Sequence, residues 1–239
     1  HNPTGICMSL AKRIRLLELV NKYGIPVLED DPYGELYFEG QPLSPLKSMD
    51  KNGYVMYLST FSKTISPGLR LGWICTGKKL IHQLCNIRQL ADLHSNCISQ
   101  QVVERFIVSG GMADYLTLIR REYKERRDIM AEALDRYAPP GLSWNIPAGG
   151  YYLWCTLPEG VSAEALAQKA AAGGVAILPG MPSYLVTRKG EAHVRLNYTF
   201  PAKNRISEGI RLLCEAIREL LRLSKEAAWP AENEINPIL

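Results

Sequence analysis

No stretch of the 239 residues is long and apolar enough to span a bilayer as a helix, and no signal peptide opens the chain. Histidine is scarce, and four scattered copies give no basis for a metal cluster. The six cysteines, Cys7, Cys75, Cys85, Cys97, Cys155 and Cys214, are far apart, form no C-x-x-C pair and mostly stand among apolar neighbours. That pattern predicts buried, reduced thiols in a cytoplasmic protein and excludes a disulfide scaffold or a zinc ribbon. Long runs of one charge are missing too. Net charge is +4, the 28 Lys and Arg residues are dispersed, and the densest cluster, Arg120 to Arg127, is interrupted by Glu122 and Glu125. Such a cluster reads as a solvated helix face rather than a nucleic-acid stripe. Internal repeats, low-complexity segments and an initiator Met are absent, and His1 already stands inside a motif. The chain therefore reads as the carboxyl-terminal part of a longer protein. What remains is ordinary globular composition, 46% hydrophobic and 22% charged, enough for one large or two small domains.

The chain is organised around Tyr54 to Trp73, Y-V-M-Y-L-S-T-F-S-K-T-I-S-P-G-L-R-L-G-W. Its apolar start, Tyr54 to Leu58, has the pattern of a buried α/β strand. Thr60, Ser62 and Lys63 follow at that strand's carboxyl end, where open α/β sheets place their ligand crevice, and Arg70 comes shortly after. Hydroxyls and a guanidinium suit a phosphate, and an amine beside them can condense with an electrophilic carbon.

Upstream, Ser9 is a candidate N-cap for a helix carrying Leu10, Ile14, Leu17 and Val20 on one face, with Gly24 at its end. A strand from Pro26 then delivers Glu29, Asp30 and Asp31 to its carboxyl end, and a Pro- and Gly-containing loop, Pro32 to Lys51, leads to Tyr54. Downstream, Arg70 to Cys75 reads as a strand, and Lys79 to Leu93, Ser99 to Val108 and Tyr115 to Tyr137 as helices. After Pro139-Pro140-Gly141 the texture changes to short strands at Leu142–Trp144, Tyr151–Thr156, Val175–Leu178 and His193–Tyr198, with helices at Ala163–Ala172 and Arg205–Leu223. Three regions follow from this: residues 1–118, residues 119–224 as a small α+β domain, and a tail, 225–239, without periodicity.

Four motifs in one order then resemble a family: H-N-P-T-G at His1 to Gly5, E-D-D-P-Y at Glu29 to Tyr33, S-T-F-S-K-T-I-S-P-G-L-R-L-G from Ser59, and H-V-R-L-N at His193 to Asn197. Together they are similar to class I/II aminotransferases, fold type I transferases that use pyridoxal 5'-phosphate (PLP), from the first residue to about Leu221. The resemblance implies an α/β fold. Residues 1–118 would be the carboxyl-terminal half of the PLP-binding large domain, a mostly parallel sheet with flanking helices, and the small α+β domain would follow.

The same resemblance assigns roles. Lys63 carries the cofactor as a Schiff base and moves a proton at the substrate α-carbon. Asp30 pairs with the pyridine nitrogen and keeps it protonated, so the ring can accept electrons. Asp31, its neighbour, reads as a loop or cap carboxylate. Asn2 and Tyr33 hydrogen-bond the phenolic oxygen, Thr60, Ser62 and Arg70 form a phosphate cup, and Arg195, with Asn2, takes the substrate carboxylate. Amino acids and 2-oxo acids are then the partners, and a homodimer is expected in the full-length protein. The family's glycine-rich loop and ring-stacking aromatic would belong upstream of His1, so the chain alone is expected to be inactive. A competing reading comes from E-D-D-P-Y, D-L-H-S at Asp92 to Ser95 and G-G-Y-Y-L-W at Gly149 to Trp154, which are also similar to the aminotransferase-like, PLP-sensing domains of MocR/GntR-type regulators. In those proteins an upstream winged helix, and not this domain, contacts nucleic acid.

Overall fold

A computed structural model of the chain describes residues 1–228. Their backbone divides into two compact units, one made of Cys7–Glu122 with Ala148–Gly150, the other of His1–Ile6, Tyr123–Pro147 and the chain from Tyr151 on. They are called below the Lys63 unit and the Arg195 unit.

In the Lys63 unit, helix α1 (Leu10–Tyr23) ends on Gly24, whose φ of 63° supplies the left-handed turn such an end requires. Ser9 occupies the N-cap position, but its side chain makes no capping bond; its carbonyl accepts from Arg13 N at 3.0 Å. Strand β1 (Val27–Asp30) pairs in parallel with β2 (Val55–Thr60), with Val27 opposite Val55 and Asp30 opposite Leu58. Between them a short helix, α2 (Leu46–Met49), interrupts the expected loop. It forms because the Glu29 carboxylate accepts from Leu46 N at 2.6 Å and Lys47 N at 2.9 Å, satisfying its first amides. Strand β3 (Gly72–Cys75) runs antiparallel to β2, as it must when the connection is too short for a crossover. Leu17, Leu46 and Val55 form the core of this layer, with Leu16, Val27 and Met49 packed against it.

Two further helices, α3 (Lys78–Asp92) and α4 (Cys97–Val108), precede the long α5 (Gly111–Tyr137). Helix α3 buries no residue and α4 buries only Val103. This corrects the expected burial of the thiols: all six are free, but Cys7, Cys75, Cys85 and Cys97 are exposed and only Cys155 and Cys214 are buried. The apolar neighbours that suggested burial are themselves open, Ile74 by 43% and Ile98 by 74%.

The chain passes from one unit to the other inside α5, between Glu122 and Tyr123. In the Arg195 unit, β4 (Ser143–Trp144), β5 (Tyr152–Thr156), β6 (Leu178–Pro179) and β7 (His193–Asn197) form an antiparallel sheet in the order β4-β5-β7-β6. Its two faces separate cleanly by period-2 alternation. Leu153, Cys155, Val194 and Leu196 are buried. Helices α6 (Ala163–Ala172) and α7 (Lys203–Ala228) complete this core with Leu166, Ile210, Leu213, Cys214 and Ile217. The strand expected from Val175 starts only at Leu178, because Val175 N still donates to Ala170 O, at 2.8 Å, and so closes α6. Helix α7 continues through Lys225, where the sequence places the start of the tail, to Ala228; the rest of that tail lies outside the described residues. No helix among the described residues is long and apolar enough to cross a membrane.

Candidate active site

The functional residues read from the sequence fall into two groups, one in each unit. In the Lys63 unit they gather where β1 and β2 end. Thr60 is the last residue of β2, opposite Gly72. Its Oγ1 donates to the Leu71 carbonyl at 2.9 Å, lies 3.0 Å from Ser62 Oγ and accepts from Ser62 N at 3.1 Å. A hydroxyl has one proton and two lone pairs, so with its proton on Leu71 the Thr60 oxygen can accept from both Ser62 N and Ser62 Oγ. Phe61 O accepts from Ile65 N at 2.8 Å and from Ser66 N at 3.1 Å, which winds Ser62, Lys63 and Thr64 into a single helical turn. Lys63 is half-buried in that turn and Thr64 is buried beneath it.

Beyond it, Ser66 Oγ accepts from Gly68 N at 3.3 Å, and a 3-10 turn, Pro67–Leu69, ends on Arg70. Arg70 has φ 53° and ψ 39°, a left-handed conformation uncommon outside glycine, and its Nη1 donates to Pro67 O at 3.2 Å. Gly72 admits no side chain, since a Cβ there would stand 2.9 Å from Ser59 O. The pinched chain carries Arg70 back beside the strand from which Thr60 and Ser62 leave. Two hydroxyls and an amine at the end of β2, with a guanidinium on the 3-10 turn that follows, form a donor set that fits a phosphorylated aldehyde.

At the end of β1 the three adjacent carboxylates Glu29, Asp30 and Asp31 point alternately to opposite sides. Glu29 is occupied by the first turn of α2. Asp31, just past the end of β1, accepts from Tyr57 Oη at 2.9 Å, and its carbonyl accepts from Ser59 Oγ at 2.9 Å, so this loop carboxylate ties the end of β1 to β2. Asp30 lies on the opposite face, exposed, beside Leu28. Tyr33, half-buried, begins the turn closed by Leu36 N donating to its carbonyl at 2.8 Å. Burial, together with the charge and hydrogen bond of Asp31, raises the Tyr57 hydroxyl well above its ordinary value of 10.0 and so keeps it a donor. Tyr57 had no place in the sequence reading. It comes beside Asp31 through the strand register, in which Leu58, the next residue, is the partner of Asp30, and nothing local in the sequence marks it.

The second group, Asn2 and Arg195, lies in the Arg195 unit. Arg195 sits in the central strand β7 between buried Val194 and Leu196, and its guanidinium lies 4.0 Å from the centre of the Tyr152 ring. Its Nη1 donates to Asn2 Oδ1 at 2.7 Å. Asn145 Nδ2 holds the Thr4 carbonyl at 2.8 Å, and Gly5 packs so closely that a Cβ would stand 2.8 Å from Tyr152 O. The His1–Gly5 motif is thereby fastened beside Arg195. On the same face His193 stacks on Trp154 at 5.4 Å and on Tyr184 at 5.7 Å, and its Nδ1 lies 3.2 Å from Thr156 Oγ1. Tyr152 was missed as the floor beneath Arg195; the alternation of Tyr152, Trp154 and Thr156 with Leu153 and Cys155 is the pattern that marks it.

Comparison with known proteins places this arrangement. The family described as aminotransferase class I and II matches residues 1–213. The chain belongs to that family. It is 40% identical over 221 residues to aromatic-amino-acid aminotransferase 1 of Thermococcus litoralis, covering 92% of this chain and 53% of the relative. It is also 37% identical to the uncharacterized HTH-type transcriptional regulator YisV of Bacillus subtilis, covering 92% of this chain and 45% of that one. Among solved structures, Pyrococcus horikoshii kynurenine aminotransferase, in complex with PMP and with KYN as substrate and KYA as product, superposes with a TM-score of 0.88 at 40% identity, over 92% of this chain and 55% of that one. The fold is accordingly that of the PLP-dependent aminotransferases, and the chain spans about half the length of the relatives it matches.

Proposed function

We propose that this chain carries the lysine, the ring-nitrogen carboxylate and the carboxylate-binding arginine of an aminotransferase that moves an amino group between an amino acid and a 2-oxo acid, with PLP as cofactor. The observation that carries the reading is Lys63, half-buried on a helical turn immediately after β2, where Thr60 and Ser62 lie within hydrogen-bond distance of each other and Arg70 closes the 3-10 turn that follows. Its relatives support the same chemistry: the T. litoralis protein is an aromatic-amino-acid aminotransferase and the P. horikoshii structure holds PMP.

Bound there, PLP supplies an aldehyde that condenses with amines and a ring that takes up the electron pair left on the substrate α-carbon. The chain's own residues do the rest. Ser62, Thr60 and Arg70 hold phosphate through charge-assisted bonds roughly twice as strong as neutral ones. The Lys63 amine takes a proton from the α-carbon and returns it. Asp30 keeps a proton on the ring nitrogen, and Tyr33 and Asn2 donate toward the phenolic oxygen. Arg195 binds the substrate carboxylate with its fork, held in place by the Asn2 amide oxygen and the face of Tyr152.

Incubation with PLP, borohydride reduction and peptide mapping test this reading: label on Lys63 is the expected result, and label on a different lysine refutes the assignment. The wide exposure of apolar side chains in the Lys63 unit supports weak PLP binding and no transamination by the 239-residue chain itself, and tight one-to-one uptake with turnover would reverse that. Full activity is then a property of a longer, cytoplasmic homodimer. The match to YisV keeps a second reading open, a PLP-sensing domain of a transcription regulator. A basic winged helix ahead of His1 in the gene would select it.

A further inference from the structure

The two adjacent aspartates at the end of β1 have opposite surroundings. Asp31 is joined to β2 by three bonds to successive residues: its carboxylate accepts from Tyr57 Oη at 2.9 Å, its amide donates to Leu58 O at 2.9 Å, and its carbonyl accepts from Ser59 Oγ at 2.9 Å. The donor is itself anchored, since the Tyr57 ring packs on Trp73 of β3 with centroids 5.1 Å apart. On its other side the Asp31 carboxylate leaves no room for a side chain at residue 34: a Cβ on Gly34 would fall inside it. The chain is thus pinned at Asp31 and turns away over Pro32, Tyr33 and Gly34. One residue before the pin stands Asp30, and two after it Tyr33.

We propose that Asp31 and Tyr57 are a positioning pair, which fixes the turn from Asp30 to Tyr33 so that Asp30 alone of the adjacent carboxylates Glu29, Asp30 and Asp31 is presented to the cofactor ring. The inference rests on the functional reading above for what Asp30 meets, but the pin itself is a property of the Lys63 unit. A neutral phenol suits the task. It holds the Asp31 carboxylate against β2 without bringing a cation near Asp30, where a Lys or Arg would compete for the carboxylate meant for the ring nitrogen. Gly34 belongs to the same device, because any larger residue would push the Asp31 side chain off Tyr57.

The test uses the full chain and two readouts. Amide hydrogen exchange of peptides spanning residues 31–36 reports the pin without reference to activity. Tyr57→Phe keeps the ring on Trp73 and removes only the donor, so exchange there should rise about tenfold, the effect of losing one hydrogen bond to a charged acceptor. Asp31→Ala should do the same, the two together no more than either alone, and Asp31→Asn should stay near wild type because its amide oxygen still accepts from Tyr57. The second readout is the absorbance spectrum of bound PLP across pH. Tyr57→Phe should move it part of the way toward that of Asp30→Asn, whereas a purely structural role would lower thermal stability and leave the bound spectrum unchanged. Unchanged exchange in Tyr57→Phe, or additive effects of the two substitutions, overturns the pair. Raised exchange with a wild-type spectrum overturns its positioning role. Borohydride label on a lysine other than Lys63 counts against the functional reading, and exchange then decides the pair by itself.

Discussion

The two units differ in how far they bury what their sequences make apolar. In the Arg195 unit the apolar pattern and the buried set coincide: α7 buries Ile206, Ile210, Leu213, Cys214 and Ile217 along one face, against Leu153, Val194 and Leu166. In the Lys63 unit the patterns are as strong but only partly covered. Helix α1 buries Leu17 and Val20 while Leu10 and Ile14 on its stripe are each 47% exposed, and Leu90 on α3 is 88% exposed. Amphipathicity states which face a helix will bury and says nothing about whether the surface that covers it is at hand. The first unit carries its own core. The second leaves large apolar side chains on α1, α3 and α4 open to solvent.

The sharpest way to break the comparison is to empty the better core. Ile217 is fully buried in α7, and Ile217→Ala removes its packing where the surrounding layer has little freedom to collapse. A loss of about 2–5 kcal/mol is expected, read as a lower urea midpoint for the Trp154 fluorescence transition. A shift below about 1 kcal/mol would mean that the Arg195 unit is no better packed than the other.

The Lys63 unit has one feature whose effect should approach that size, and it is polar. Asp50 closes the loop into β2. Its Oδ1 accepts from the amides of Asn52, Gly53 and Tyr54, and its Oδ2 accepts from Val55 N at 2.9 Å and Lys47 Nζ at 3.0 Å, with the side chain only 1% exposed. Burial alone would raise its pKa, but the bonds from Val55 and Lys47 outweigh this and hold it below the ordinary 3.8. A carboxyl depressed on folding stabilises fully above its unfolded value, and that stability is lost as pH falls through the lower folded value. Asp50→Ala should cost about 2–4 kcal/mol at neutral pH. The wild-type urea midpoint followed at Trp73 should fall as pH drops below 3.8, and Asp50→Asn should flatten that dependence. An unchanged acid slope in the Asn variant would place the acid sensitivity on another carboxylate.

How far the sequence could be read follows the same division. Helix α6 appears over Ala163–Ala172 as the sequence predicts, with Ser162 capping it and Ala163, Leu166 and Ala170 buried, because its burial and its local preferences agree. The strands read before Lys63, up to Asp30 and around Arg195 are present in the structure, since each is a short apolar or alternating run that local pattern defines. What was not legible depended on partners distant in sequence. Helix α2 exists because Glu29 caps it from β1. The Asp31–Tyr57 bond follows from a parallel register that no local pattern specifies, and the exposure of Cys75 and Cys85 depends on surface that does not close over β3 and α3.

The smallest expected effect tests the comparison from its open side. Leu90 and Val108 are 88% and 81% exposed, so each already pays little in lost hydration on unfolding, and removing their apolar atoms forfeits almost no packing in the folded chain. The double substitution Leu90→Ser, Val108→Ser should therefore leave the urea midpoint of the Lys63 unit within about 0.5 kcal/mol of wild type. Its effect should appear instead in association: less binding of a hydrophobic dye and less concentration-dependent light scattering, because α3 and α4 offer less apolar surface to other molecules. If the same double variant lost about 2 kcal/mol or more, these side chains would be covered in solution, and the contrast between a closed unit and an open one would fail for α3 and α4.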